Sequence, residues 1–487
     1  MAAPLKTAAP ARTDLTQGPI TRTLLIFALP TLGSNVLQSL NGSINSVWVG
    51  RFLGEGALAA TTNANLVMFL MFALGFGFGI AATILVGQSM GARDLTGARR
   101  AMGTAIGLFG IVSVAVAIGG WLLAPALLRV LATPPGAEAM ALAYLRVIFL
   151  ALPPMFLSVL LAMGMRGMGD SITPLLLMIL SVLLDAVLNP LLIAGVGPFP
   201  RMGIAGSATA TLVANYVTLV VALVYIYGRD LPIRLRGAEL RFLIPDRALL
   251  KIILIKGLPM GLQMLVFSLS GLVMVGLVNR AGVDVTAAYG IAQQLWTYVQ
   301  MPAMAIGTAV SAMVAQNIGA GRWDRVNAIT RSGIGTNILI TGVMVALILL
   351  FDRPIFALFV GGGSPAIPIA RHIQLIGSWS FIVFGITLVL FATVRANGAV
   401  YAPLAILVVA VLIGRLGFAA TLLPHFGTDA LWWSFPVGSV GSLALAVLHY
   451  RFGDWRRGAM VSVVVEQEAA EQSQATAEPG GRLHPSG

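Results

Sequence analysis

The sequence contains no cysteine and very few charged residues. Of its 487 residues, 10% are Asp, Glu, Lys or Arg, whereas soluble proteins contain about 25%. The absence of cysteine excludes a disulfide framework, a thiolate nucleophile and a Cys-bound metal. The four histidines lack the spacing of metal ligands, and no GxSxG, HExxH or P-loop motif occurs. We therefore expect no metal and no cofactor, and we expect that the chain is not an enzyme.

In place of charge, the chain has long apolar runs. Apolar residues make up 58% of it, and runs of about 18 or more recur from end to end. This pattern predicts an all-α polytopic membrane protein with twelve transmembrane helices. The predicted spans cover residues 23–47, 57–88, 101–124, 139–164, 172–195, 204–227, 257–279, 286–315, 332–351, 370–394, 403–424 and 428–451.

The basic residues follow a topological pattern. The net charge is +12, and most of the 30 Lys and Arg residues fall on one side of the membrane if the N-terminus is cytoplasmic. We therefore interpret the positive charge as a topology signal and expect no nucleic-acid partner. The predicted location is the cell (plasma or inner) membrane, with both termini cytoplasmic.

Composition divides the chain into five segments. Residues 1–20 are polar and rich in Pro and Ala, which predicts a disordered N-terminal tail. Residues 21–228 and 257–452 hold six spans each, and we expect two six-helix lobes. Residues 229–256 carry seven basic side chains and are interpreted as a cytoplasmic linker between the lobes. Residues 453–487 lack a core-forming pattern and are predicted to be a disordered cytoplasmic tail.

The two halves repeat each other. Gln88 and Gly91 recur as Gln316 and Gly319 at an offset of 228, and further positions repeat at an offset of 228 or 229. These include Arg166-Gly-Met-Gly169 with Arg395-Ala-Asn-Gly398, Pro174 with Pro403, and Pro30 with Pro259. Because each repeat has an even number of spans, both halves cross the membrane in the same direction. The lobes should then be related by a pseudo-two-fold axis along the membrane normal, with a substrate site between them.

Several motifs resemble those of one transporter family. They are NSVWVGRFLGEGALAA at 45–60, VGQSMGARD at 86–94, RGMGD at 166–170, LDAVLNPLLIAG at 184–195, GLPMGLQ at 257–263 and AQNIGAGR at 315–322. In this order they resemble the MATE (multidrug and toxic compound extrusion) transporters over about residues 20–450. The resemblance implies two lobes arranged as a V, alternating access, and export of organic, often cationic, compounds against H⁺ or Na⁺.

Some family features are missing. Asn45 stands where many relatives have an acid in the first span. The fifth span has Asp185 followed by Asn189 and Pro190, whereas some relatives have the amide first and the acid next to proline. The second half has no acid within a span. Any side-chain coupling should therefore be asymmetric between the lobes.

Asp185 is the one carboxylate that lies well inside a span. An acid at that depth costs about 2.5–3.5 kcal/mol on insertion scales, so it is rarely incidental. Ser181 and Asn189 share its helix face at a spacing of four residues. We interpret this group, together with Asn45, as an ion-coupling site. The alternative is a buried structural acid satisfied by its polar neighbours.

Polar stripes in two other spans predict a cavity in the N-terminal lobe. The first span carries Gln38 and Asn41 on the face of Asn45, and the sixth carries Ser207, Thr211 and Asn215. Such stripes face the bundle, either as contacts that hold helices together or as the wall of a wet cavity. We interpret these residues as substrate-lining, which favours the wall of a wet cavity over contacts that only hold helices together.

The second half offers a different surface. Gln263 and Met264 in the seventh span, and Tyr289, Gln293 and Trp296 in the eighth, combine aromatic, sulfur and amide groups. Such groups suit a substrate pocket of broad specificity, although ordinary packing and an interfacial aromatic belt are the alternative.

Arg415 is the one base well inside a span. The repeat offset places it opposite Ala186, next to Asp185. It is therefore either an interlobe partner of Asp185 or a side chain that caps carbonyls locally.

The sequence thus predicts a secondary antiporter that exports organic, often cationic and amphipathic, compounds by alternating access. Inward H⁺ would be coupled at Asp185, because one carboxylate among neutral amides suffices for a proton. Na⁺ is the less favoured ion. The alternative function is a flippase for a lipid-linked or amphipathic molecule with the same two-lobe fold. The expected partners are a small organic substrate and membrane lipid, and we expect a monomer.

Overall fold

A computed structural model of the chain describes residues 14–130, 135–361, 363–457 and 460. Every regular element in these ranges is helical. The first nine helices are α1 (Ile20–Leu53), α2 (Glu55–Gly91), α3 (Leu95–Val130), α4 (Pro135–Gly167), α5 (Ile172–Ala194), α6 (Ile204–Gly228), α7 (Arg247–Asn279), α8 (Val283–Gly319) and α9 (Trp323–Leu350). The remaining ones are α10 (Asp352–Val360), α11 (Ala366–Gly377), α12 (Ser380–Ala396), α13 (Tyr401–Leu407), α14 (Leu416–Phe426) and α15 (Asp429–Phe452), with a 3₁₀ segment Gly237–Leu243 and a π segment Val408–Arg415.

The helices match the predicted spans. Among the described residues, 11 helical stretches are long and apolar enough to cross a membrane, and α13, the π segment and α14 together form one of them. Helices α11 and α12 are bent by 42° and together form a twelfth. The prediction of an all-α protein with twelve spans is therefore confirmed. Apolar side chains can face lipid all along such helices because each helix satisfies its own backbone hydrogen bonds.

The helices pack in two groups. Within the first half, α4 packs against α2, α3 and α6, and α5 packs against α1 and α6. Within the second half, α8 packs against α9, α11 and α12, and α15 packs against α12 and the π segment. The two halves meet through α1 with α8, and through α2 with α7 and α8. A ligand held between the halves would therefore lie beside α2, α7 and α8.

The prediction of a disordered N-terminal tail is wrong for residues 14–20. Leu15 is fully buried, and its carbonyl accepts a hydrogen bond of 2.9 Å from Asn317 Nδ2. Arg322 and Arg325 donate to the carbonyls of Thr16 and Gly18 at 2.8 and 3.1 Å. The apolar side chain of Leu15 and these carbonyls attach the segment to the second half. Residues 1–13 lie outside the described residues.

The predicted C-terminal tail also begins with packed residues. Trp455 is 2% exposed, stacks on Tyr450 with ring centroids 5.1 Å apart, and accepts a hydrogen bond of 2.6 Å at its carbonyl from Asn397 Nδ2. Met460 is buried as well. The prediction of disorder is therefore wrong for residues 453–457 and 460, and the rest of that tail lies outside the described residues.

The segment interpreted as a linker is partly helical. Asp246 caps α7 by accepting hydrogen bonds from the backbone amides of Ala248 and Leu249 at 3.0 and 3.1 Å. Residues 247–256 therefore form the first turns of α7. The preceding residues are attached to α3, because Arg99 pairs with Glu239 and Arg100 with Asp246, each at 2.6 Å.

Candidate functional site

Asp185 lies in the interior of the first half, 2% exposed, one turn before Pro190 in α5. Its Oδ1 accepts a hydrogen bond of 3.0 Å from Thr211 Oγ1 on α6. Asn189 Nδ2 is 3.4 Å from the same oxygen, and the side chain of Asn41 on α1 is a further hydrogen-bond partner of the carboxylate. Three helices thus meet at one acid.

The polar spacing in the sequence explains this meeting. Residues four apart lie on one helix face, so Asn189 follows Asp185 on the side of α5 that contacts α1 and α6. One turn beyond Asn41, Asn45 Oδ1 accepts a hydrogen bond of 2.8 Å from Ser207 Oγ. Asn215 Nδ2 donates to the carbonyl of Thr211 at 2.8 Å. Most of the side chains predicted from α1, α5 and α6 therefore belong to one network, which the bond from Thr211 Oγ1 to the carbonyl of Ser207 at 3.4 Å connects.

Two predicted residues lie apart from this network. Gln38 on α1 is exposed, and Ser181 makes no hydrogen bond within the part of the chain that the structure describes. Neither side chain is among those that line the central cavity described below.

Two acceptor oxygens in the network have no partner among the described residues. Asn41 Oδ1 and Asn189 Oδ1 are both buried there and accept no hydrogen bond. Buried polar atoms are usually satisfied, so an unpaired pair beside a carboxylate needs an explanation. A protonated carboxyl group would donate to such an acceptor. A small hard cation could instead be bound by the oxygens of Asp185, Thr211 and the two amides.

Tyr144 on α4 is a buried titratable residue near this site that the sequence analysis did not single out. Its ring is buried, and the residue lies close enough to Asp185 to feel the charge of the carboxylate. A single tyrosine near the start of a predicted span gives no signal of such a role, because it fits an interfacial aromatic belt equally well.

A second site, the central cavity, lies between the halves and has a volume of about 460 Å³. Helices α2 and α4 of the first half line it, together with α7, α8, α12, α13, the π segment and α15 of the second half. The predicted pocket residues on its wall are Gln263, Met264, Tyr289, Gln293 and Trp296.

Aromatic side chains form much of the cavity wall. Trp296 packs on Phe435 and Phe381, with ring centroids 4.6 and 5.1 Å apart, and its Nε1 donates to Gln374 Oε1 at 2.9 Å. Tyr289 lies edge-on to Trp296 with a centroid distance of 6.1 Å. This packing fixes the rings in place and leaves a preformed apolar surface for a ligand.

Arg415 lies on the wall of the same cavity and does not pair with Asp185. Its guanidinium carbon is 3.7 Å from the centroid of Phe435, and within the described residues it forms no ion pair. The structure therefore contradicts the interpretation of Arg415 as an interlobe partner of Asp185. Equivalent positions in two repeats need not contact each other.

Two further arginines line the central cavity. Arg166 at the end of α4 and Arg395 at the end of α12 occupy the equivalent positions of the repeated motif. Next to each of them in sequence, a backbone carbonyl joins the halves. Gln88 Nε2 donates to the carbonyl of Ala396 at 2.7 Å, and Gln316 Nε2 donates to the carbonyl of Gly167 at 2.8 Å.

An apolar helical bundle of twelve spans, with one buried acid in one half and a cavity between the halves, defines the class of membrane transporters. Comparisons with known proteins identify the family. The sequence profile of the MatE family matches residues 30–191 and 259–419, one match in each half, and the chain belongs to this family.

Named relatives and a solved structure agree with this. The chain is 35% identical over 433 residues to the "Probable multidrug resistance protein YoeA" of Bacillus subtilis, covering 88% of this chain and 93% of that one. It is 29% identical over 446 residues to the "Probable multidrug resistance protein YpnP" of the same organism, covering 91% and 97%. The fold superimposes on "Crystal structure of MATE in complex with MaL6" with a TM-score of 0.83 at 21% identity, covering 93% of this chain and 99% of that chain. The protein is therefore a multi-pass membrane transporter and not an enzyme.

Proposed function

We propose that this transporter is a secondary antiporter that exports small organic compounds and is driven by inward H⁺ movement at Asp185. The hydrogen-bond network of Asp185 supports the proposal most directly. Side chains of α1, α5 and α6 converge on that one buried acid, and two unpartnered acceptor oxygens lie beside it. No other carboxylate lies well inside a described span.

The network suggests how a proton changes the protein. The ionised carboxylate only accepts hydrogen bonds, as it does from Thr211 and Asn189. After it takes up a proton, the carboxyl group must also donate, and the acceptors without a partner are the amide oxygens of Asn41 and Asn189. Such a donation requires the amide group of Asn41 or Asn189 to reorient, which changes the contacts of α1 and α5. Because α1 packs against both α5 and α8, a shift of α1 would be transmitted to the second half.

The central cavity supports a small cargo. Its volume of about 460 Å³ falls within the range of about 300–1,000 Å³ that is typical of sites for drug-sized ligands. The names of the relatives above refer to multidrug resistance. Together these observations favour export of small compounds over flipping of a lipid-linked molecule. A head-group accessibility assay in liposomes tests the flippase alternative directly.

Transport in proteoliposomes tests the coupling. An H⁺ gradient and a Na⁺ gradient are imposed separately on wild type, Asp185→Asn and the control Asp170→Asn, whose acid caps α5 from the loop before it. We expect the H⁺ gradient to drive transport in wild type and in the control, and Asp185→Asn to lose at least nine-tenths of it. Undiminished transport in Asp185→Asn would contradict the role of Asp185. Transport driven by Na⁺ alone would contradict the choice of ion.

A further inference from the structure

The central cavity carries positive charge and no described negative charge. Arg166, Arg395 and Arg415 all line it, and no Asp or Glu stands among its described lining residues. The acid of the coupling site, Asp185, is not among them. The charge of the cavity and the charge of the coupling site are therefore separate.

The three guanidinium groups lack an anionic partner. Arg166 Nε and Arg415 Nε are buried and make no hydrogen bond to any residue that the structure describes. Arg395 donates only to neutral acceptors, the carbonyl of Phe391 at 3.2 Å and Gln263 Oε1 at 3.3 Å. Within the described part of the chain, none of the three forms an ion pair. Cations removed from water are stable when an anion pairs with them, so this cavity favours a ligand that brings one.

The rest of the wall specifies the shape of such a ligand. The guanidinium of Arg415 lies over the ring of Phe435, so its terminal N–H groups, which bond to no described residue, are the part that can donate to a ligand. Tyr289, Trp296 and Phe381 contribute packed aromatic rings to the same wall, each with less than a tenth of its surface exposed. A planar ring bearing an anionic substituent can pack against the edges of these rings while its charge reaches a guanidinium group.

The local helix geometry brings Arg415 to this place. The π segment that ends at Arg415 interrupts the helix that α13 and α14 would otherwise form together. A π segment adds a residue to the turn and changes the direction of the side chains that follow, and such segments often occur at functional sites. Arg415 then packs against the open side of Gly438 on α15, whose added Cβ would lie 3.0 Å from Arg415 Cβ.

We propose that the central cavity selects aromatic compounds that carry a carboxylate, sulfonate or phosphate group, and that Arg415, beside the aromatic rings, binds that group. Arg166 and Arg395 add positive charge at the other end of the cavity. The proposal rests on the export function proposed above and specifies its substrate class. It replaces the cationic substrates implied by the family resemblance, because a cation in this cavity would be repelled by three charges without meeting a described carboxylate.

Two dyes of opposite charge test the selectivity. Fluorescein and a cationic rhodamine ester share a xanthene ring system, so they differ mainly in net charge. Their binding to the purified full-length protein is measured by fluorescence anisotropy, without any ion gradient. We expect fluorescein to bind at least about tenfold more tightly, which is the typical contribution of one charge-assisted hydrogen bond.

Variants assign the selectivity to the arginines. Arg415→Gln should weaken fluorescein binding about tenfold, and Arg166→Gln, at the other end of the cavity, should weaken it less. Binding of the rhodamine ester should stay unchanged or become tighter, which also shows that the variant is folded. Arg415→Lys should keep much of the affinity because it keeps the charge. Arg280→Gln, which removes an exposed charge at the end of α7, is the matched control and should change neither dye.

The proposal would be overturned if the two dyes bound equally or if the rhodamine ester bound more tightly. It would also be overturned if both Gln variants bound fluorescein as tightly as wild type does. The binding assay is independent of coupling. If the protein binds fluorescein selectively but Asp185→Asn transports as well as wild type, only the proposed coupling is overturned. Coupled export of the rhodamine ester alone would overturn only the substrate class.

Discussion

Gln88 and Gln316 make the same hydrogen bond in opposite directions between the two halves of the protein. Gln88 on α2 donates to the carbonyl of Ala396 at 2.7 Å, and Gln316 on α8 donates to the carbonyl of Gly167 at 2.8 Å. The donors are separated by 228 residues and the acceptors by 229. A two-fold axis along the membrane normal requires such a reciprocal pair. We call Gln88 and Gln316 the glutamine pair.

The first prediction is that loss of the glutamine pair separates the halves. Gln88 and Gln316 both lie at helix ends on the side of the basic connections. We call the described state, in which the ends of α2 and α8 touch, closed, and a state in which they separate, open. A buried hydrogen bond contributes about 1 kcal/mol, so Gln88→Ala or Gln316→Ala should each shift the equilibrium about fivefold towards the open state. Because the chain has no cysteine, spin labels can be attached at Thr96→Cys and Asp324→Cys, and electron–electron distance measurements report the separation.

The symmetry of the pair makes this prediction stringent. The two single variants should have similar effects, and the double variant should open the protein further. Gln294→Ala, an exposed position on α8 whose amide bonds only to Tyr298, is the control and should leave the distances unchanged. A distance distribution that stays at its wild-type values in the double variant would show that the glutamine pair does not hold the halves together.

The second prediction concerns Gly91 and Gly319, whose helix ends touch across the same interface. A Cβ on Gly91 would lie 1.9 Å from the carbonyl oxygen of Gln316, and a Cβ on Gly319 would lie 1.9 Å from that of Gln88. Backbone cannot move aside as a flexible side chain can. Gly91→Ala and Gly319→Ala should therefore lower the population of the closed state at least tenfold in the same distance measurement.

Gly110→Ala separates this effect from general helix stabilisation. Gly110 lies within α3, and a Cβ there would meet no atom within 4 Å. Alanine in place of glycine in a helix stabilises it by about 1 kcal/mol, so the control should be as stable as wild type or more stable, with unchanged distances. Closure of the Gly91→Ala variant to wild-type distances would refute the steric argument.

The sequence predicted the spans well because they depend on a feature that tertiary packing does not alter. A transmembrane helix must be apolar over its length. The shared face of Asp185 and Asn189 also followed from helix periodicity, since polar residues on one face of a membrane helix must turn towards other helices. Thr211 was expected to line a cavity, and only the packing of α5 on α6 brings it to Asp185.

The charge of the central cavity could not be predicted in the same way. Arg166 and Arg395 stand at helix ends, where basic residues usually reflect membrane topology. Only the rotation of α4 and α12 decides that these two side chains line the cavity. Their recurrence in both repeats was the available signal. For Arg415 the repeat offset was misleading, because equivalent residues are related by the axis and need not touch.

The third prediction concerns Asp246 and the pH dependence of stability. Partial burial would raise the pKa of Asp246, but the hydrogen bond from Arg100, the backbone donors Leu249 and Ala248, and the charge of Arg100 together lower the pKa below its usual value. A carboxylate with a lowered pKa stabilises the fold above its unfolded-state pKa of about 3.9, and this stabilisation is lost as the pH falls through the folded-state pKa.

Two variants separate the contributions of Asp246. Asp246→Ala removes the cap of α7 and the pair with Arg100, and should cost about 0.5–2 kcal/mol near neutral pH. Asp246→Asn keeps a capping side chain and should cost less. Thermal unfolding in detergent, followed by tryptophan fluorescence, should show that both differences from wild type shrink as the pH falls below about 4. A difference that is constant with pH would show that the charge of Asp246 contributes nothing.

The last prediction is that Asn45→Asp changes the pH dependence of transport. Asn45 Oδ1 accepts a hydrogen bond of 2.8 Å from Ser207, and a carboxylate at this position can accept the same bond, so the fold should tolerate the change. Asn45 lies one turn beyond Asn41, which bonds to Asp185, so the substitution adds a second titratable acid to the same network. Because two nearby carboxylates disfavour each other's ionised form, the pH profile of H⁺-driven transport should broaden or move by about one unit or more.

Asn279→Asp adds the same charge at the exposed end of α7 and should keep the wild-type profile. If Asn45→Asp and wild type have the same profile, Asn45 lies outside the group of residues that couples ion movement to export, and the network of Asp185 ends at Asn41.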